Sequence, residues 1–98
     1  MKIYKYPCTP TARFVLDLPE GAEVLDAQVQ HGVVCLWAKV NPDLPKRQVR
    51  FALVGTGHDA PEHADYISTF QLHGGEFVFH LFREVESLDS GAKRERAE

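Results

Sequence analysis

Apolar and polar side chains alternate with a period of two along most of the chain, which predicts strands rather than helices. The clearest stretch runs from Tyr66 to Phe82, where two runs rich in aromatic and β-branched residues meet at Gly74-Gly75 and predict a β-hairpin. With Gly74-Gly75 as a two-residue loop, Leu72 faces Phe77, Phe70 faces Phe79 and Ser68 faces Leu81. The opposite surface pairs Gln71 with Val78, Thr69 with His80 and Ile67 with Phe82. Phe70, Phe77, Phe79 and Leu81 are therefore assigned to the core. The second surface mixes polar and apolar groups, so it calls for cover by a partner subunit, a second sheet or a ligand.

A second hairpin is predicted from Val24–Gln30 and Val33–Val40 about His31-Gly32. Its apolar face pairs Val29 with Val34, Ala27 with Leu36 and Leu25 with Ala38. The other face pairs Gln28 with Cys35 and Asp26 with Trp37, and a one-residue slip would mix the two sets. Lys2–Tyr6, Arg13–Leu18 and Gln48–Thr56 read as further strands, separated by Pro-containing turns. The fold class expected is mostly β: a small antiparallel sheet, sandwich or open barrel of about six or seven strands built from hairpins. A single domain over residues 1–86 is followed by a polar segment, 87–98, that reads as a disordered tail.

Ninety-eight residues make one small domain with a thin core, for which oligomerisation is a natural source of further buried area. A homo-oligomer, most simply a dimer, is expected through Ile67, Val78 and Phe82 on the second hairpin face. The formal charge of −3, with scattered Lys and Arg, argues against a nucleic-acid binder. Cys8 and Cys35 stand far apart, in no metal-ligand spacing, and read as free thiols. The first residues alternate like a strand and show no secretion pattern, and no run approaches the roughly 18 apolar residues of a membrane span. A cytoplasmic location without membrane contact is expected.

Three constellations carry candidate chemistry. Gly55-Thr56-Gly57-His58 ends a strand, and its backbone N–H groups with the Thr56 and His58 side chains fit a phosphate or carboxylate; the competing reading is an ordinary Gly-rich turn. His58, Asp59, Glu62, His63 and Asp65 offer metal-ligand atoms, but the five-residue spacing of the two histidines favours a solvated loop, and neither metal nor cofactor is expected. Thr69, His80 and Gln71 share the second hairpin face and fit directional hydrogen bonding in an apolar frame, or else a subunit interface. Trp37, on a face with Val33, Cys35 and Lys39, fits stacking on a planar ligand, against core packing. No activated serine and no paired carboxylates are recognisable, and thiols in apolar strands are inert packing groups, so no catalytic residue is assigned and a non-enzyme is expected.

Five segments, Ile3–Tyr6, Val33–Ala38, Phe51–His58, Tyr66–Gln71 and Gly74–Phe82, resemble a family of small uncharacterised proteins encoded by tailed phages and prophages. The resemblance covers residues 1–84 and implies an accessory protein made in a bacterial host cytoplasm. The function expected is binding and sequestering of a small anionic ligand, such as a nucleotide immune signal in immune evasion. The site residues would be Gly55, Thr56, Gly57, His58, Thr69, Gln71, His80 and Trp37. The alternative is a protein-binding adaptor or inhibitor of a host or phage protein.

Overall fold

Seven strands follow one another: β1 (Lys2–Cys8), β2 (Arg13–Pro19), β3 (Glu23–Gln30), β4 (Val33–Val40), β5 (Lys46–Gly55), β6 (Ala64–Leu72) and β7 (Phe77–Glu84). This computed structural model describes residues 1–85, and the tail expected over residues 87–98 lies outside the described residues. The strands form two antiparallel sheets, one ordered β1-β4-β3 and the other β2-β5-β7-β6. The chain is thus the small antiparallel β protein that its alternation predicts. It changes sheet after β1, after β2 and after β4. At the last two crossings Glu20 N–H donates to the Pro45 carbonyl at 2.8 Å and Ala22 N–H to the Pro19 carbonyl at 3.1 Å. Among the described residues no helix is long and apolar enough to cross a membrane.

The β3–β4 hairpin turns at His31 and Gly32, both in the left-handed region with φ of 53° and 78°. A two-residue turn of that kind matches the right-handed twist of its strands. The register follows the alternation from Gln30 opposite Val33 to Asp26 opposite Trp37, and then shifts. Val24, not Leu25, opposes Ala38, and Leu25 is 43% exposed. The Asp26 carboxylate accepts the Ala27 N–H at 2.8 Å beside this bulge. Such a local side-chain bond competes with the ladder and is invisible to a count of alternating residues.

The last hairpin also keeps its predicted register before a bulge, but it closes through a 3-10 turn over His73–Gly75 in place of the expected two-residue Gly74-Gly75 loop. Leu72 opposite Phe77 through Ser68 opposite Leu81 is the predicted register, after which a bulge drops Ile67 out and sets Tyr66 opposite Phe82. Ile67 therefore packs against the core instead of sharing a face with Phe82 and Val78. Phe70 and Leu81 are buried and Phe79 packs against the core as expected. Phe77 departs from expectation at 46% exposed. It belongs to the last rung before the exposed turn, where it stacks on Phe79 with ring centres 6.3 Å apart and meets His73 edge-on.

Both sheets contribute to one core: Val34, Leu36, Ala38 and Val40 from β4 meet Leu18, Val49, Phe51, Phe70 and Leu81 from the other sheet. Phe51, Leu18, Leu36, Leu81 and Val40 are fully buried. Residues of the opposite parity on β5, β6 and β7 are directed to the outer face, and that face carries the polar cluster.

Candidate functional site on the outer face of the four-stranded sheet

Cross-strand pairing lines up Val54, His80 and Thr69 in one row and Ala52, Phe82 and Tyr66 in the next. His80 is the centre. Its Nδ1 lies 2.9 Å from Thr69 Oγ1, and its Nε2 lies 2.8 Å from Thr56 Oγ1 just past the end of β5. The Tyr66 hydroxyl adds a third link, 2.7 Å from Thr69 Oγ1. Hydroxyls on both sides suit either imidazole tautomer, because each can donate or accept. Val54, Val78 and Phe82 frame the chain, with Tyr66 edge-on to Phe82 at a ring-centre distance of 5.8 Å. The Arg13 guanidinium reaches across β5 to pair with the Glu84 carboxylate.

The Gly55–His58 segment is a tight turn in which His58 N–H donates to the Gly55 carbonyl at 3.1 Å. Gly57 has φ of 95°, the conformation that favours glycine at the third position of such a turn. Thr56 N–H donates to the Val78 carbonyl at 3.4 Å. Two backbone donors that an anion would use here are thus engaged within the protein. The His58 ring turns away from Thr56: its Cδ2 lies 3.3 Å from the point where a Cβ on Gly55 would be. Gly55 pairs with Phe79, on the face opposite His80.

Of the residues proposed from sequence, Thr56, Thr69 and His80 come together, while the others do not join them. Gln71 stands beside Val78 on the same face, with its amide oxygen folded to within 3.0 Å of a Cβ position on Gly75. Trp37 is half-buried on the outer face of the other sheet, between Lys5 and Asp26. Tyr66 was not singled out by sequence, because only the bulge at Ile67 brings it onto the face with His80 and Phe82. No periodic signal marks that bulge.

Grooves flank the sheet on two sides. One of about 560 Å³ lies where β2 begins beside the end of β5, lined by Arg13, Leu53, Gly55, His58, Asp59 and Glu62 among others. The second, about 350 Å³, lies between the bulges of β3 and β6 and includes Glu23, Leu25, Asp65, Tyr66, Ile67 and Arg83. Thr69, Gln71, His80 and Trp37 line neither. Among the described residues no three His, Cys, Asp or Glu side chains stand where they would hold a metal ion. Cys8 and Cys35 are buried free thiols. Burial pushes the Cys8 thiol up to about 11, with Cys35 nearby as a smaller cause, so it is held in its unreactive form.

No curated protein and no solved structure matches the chain. Residues 1–91 match the family described as a domain of unknown function, DUF7352, and the chain belongs to that family.

Proposed function

We propose that this protein acts by holding a partner on the outer face of its four-stranded sheet, without turnover, and that the partner is a protein. Shape carries this reading. The hydrogen-bonded chain Thr56–His80–Thr69–Tyr66 lies on a sheet face among Val54, Val78 and Phe82; Thr56, His80 and Thr69 line neither of the two grooves described, and Tyr66 alone reaches the rim of the smaller one. Small ligands are held in concave sites that bury most of their surface, whereas protein interfaces combine aromatic anchors with hydrogen-bonding groups on flatter ground. Tyr66, 59% exposed, is the aromatic best placed to anchor such a contact. A second copy of the chain and a host or phage protein both fit this chemistry.

The test compares Tyr66→Asp with Ile3→Asp, a control at a 63% exposed position on the outer face of the other sheet. A partner kept by the wild type and by Ile3→Asp but lost by Tyr66→Asp supports the reading; equal behaviour of the two variants defeats it.

Sequestration of a small anion, such as a nucleotide immune signal in a phage-infected cytoplasm, is the second reading. The convergence of three hydroxyls and an imidazole from three segments favours it. A small molecule recovered by heating the purified wild type, and absent from Thr69→Val, would put this reading first.

A further inference from the structure

Arg83 is the positively charged residue on the inward parity of β7, in line with Phe77, Phe79 and Leu81. It is partly buried, and its Nη1 crosses to the other sheet to donate to the Ala22 carbonyl at 3.0 Å. A guanidinium carries five N–H donors in a planar fork, and this is the one hydrogen bond Arg83 makes through its side chain among the described residues. Asp65 stands directly opposite Arg83 in the β6–β7 ladder. Neighbouring charges at such a rung normally close on each other. Here they do not: the ion pairs among the described residues are Arg13 with Glu84, Lys39 with Glu23 and Arg47 with Glu20.

Arg83 and Asp65 both line the groove of about 350 Å³. Two bulges make it, because the shifts at Leu25 on β3 and at Ile67 on β6 both fall along its walls. Glu23, the other acid of the groove, is engaged by Lys39 at 3.4 Å. What remains is one cation and one anion, separated, each with hydrogen-bonding capacity facing a cleft near the lower end of the roughly 300–1,000 Å³ range of small-molecule sites.

We propose that this groove binds a small zwitterion of the α-amino-acid type, its carboxylate on the Arg83 guanidinium and its ammonium on the Asp65 carboxylate. The planar fork matches a carboxylate in bidentate fashion. A phosphate dianion fits less well, since it would add two negative charges beside Asp65 and Glu23. Val24, Leu25 and Ile67 supply an apolar wall for an aliphatic portion of the ligand. The site adjoins the His80 face at Tyr66, which lines the groove and is linked through Thr69 to His80, but Arg83 and Asp65 take no part in that hydrogen-bonded chain.

Titration calorimetry and thermal shift on the full chain test it, using the standard amino acids, 4-methylpentanoate, 3-methylbutylamine and inorganic phosphate. At least one amino acid should bind in the millimolar range or tighter. The matching analogues of whichever amino acid binds, lacking the amine or the carboxylate (4-methylpentanoate and 3-methylbutylamine for leucine), should bind at least about tenfold more weakly, the loss of about 1.4 kcal/mol expected when one charged contact goes. Arg83→Gln keeps an amide donor for the Ala22 carbonyl and should weaken binding by a similar factor. Asp65→Asn, at an exposed position, should do the same and does not depend on how Arg83→Gln folds. Ile3→Asp, on the outer face of the other sheet, should leave binding unchanged. The proposal fails if no amino acid binds, if either single-charge analogue binds as well as the zwitterion, or if phosphate alone binds through Arg83.

Discussion

The Gln28 side-chain amide donates to the Ser68 hydroxyl at 3.0 Å, tying edge strand β3 of one sheet to edge strand β6 of the other. Ser68 is the buried polar residue among those described, so this bond answers a group that water does not reach. The two ends of the bond are unequal. Gln28→Ala should destabilise by about 1–3 kcal/mol because it leaves the hydroxyl unmatched, whereas Ser68→Ala removes the need along with the partner and should be close to neutral. Urea unfolding of both variants checks it; equal losses would show that the bond does not hold the sheets together.

Phe51 and Phe77 are both inward by parity, yet they should respond differently to truncation. Phe51 is fully buried and stacks on Phe14 with ring centres 5.3 Å apart. Phe51→Ala should cost about 3–5 kcal/mol through the cavity it leaves, enough to unfold a domain of this size. Phe77→Ala, at the exposed end of the last hairpin, should cost less than about 1 kcal/mol. Thermal melts of the pair decide between this order and the reverse.

The hairpins were readable in the sequence because their register depends on local alternation and on turn residues such as His31-Gly32. The reading stopped at the two bulges. Leu25 and Ile67 fall in unbroken alternating patterns, and what displaces them is a side-chain bond at Asp26 in one case and packing of Ile67 on the core in the other. Sheet order was not readable, because β1 with β4 and β2 with β5 pair across distant parts of the chain. The meeting of Thr56 with His80 follows from the β5–β7 pairing. His58, two residues from Thr56, falls on the other side because the tight turn at Gly57 reverses its direction, so nearness in sequence misled about nearness in the site.

Cys8 should make stability depend on pH at the alkaline end. Its thiol is raised from an ordinary 9.0 to about 11, by burial first and Cys35 second, so the folded state keeps a proton that the unfolded chain loses. The contribution is complete below about pH 9 and is lost as pH rises from there through about 11, because the unfolded state then binds fewer protons. Tyr6, raised by burial and then by Tyr4, acts in the same direction. Melting temperature should therefore fall across that window, and fall less steeply in Cys8→Ala. At pH 8 the wild-type thiol should react with iodoacetamide far more slowly than in urea; equal rates would contradict the burial of Cys8.

Gly57, in the left-handed region, follows Thr56 directly in the turn that ends β5. Its φ of 95° is unfavourable for any residue with a Cβ, although the space around it is open. Gly57→Ala should therefore act through backbone strain, costing on the order of 1–2 kcal/mol without a steric clash. Relief of that strain requires the turn to rotate, which moves Thr56 off His80 Nε2 while Thr69 continues to hold Nδ1 from the neighbouring strand. The imidazole nitrogen signals of His80 should report this in NMR spectra, with Nε2 shifting and Nδ1 nearly still. Thr56→Val should reproduce the Nε2 change without the full loss of stability, and Thr69→Val should move Nδ1 instead. If Gly57→Ala left both nitrogens unmoved, the turn would not be what positions Thr56, and His80 would owe its orientation to the β6–β7 ladder alone.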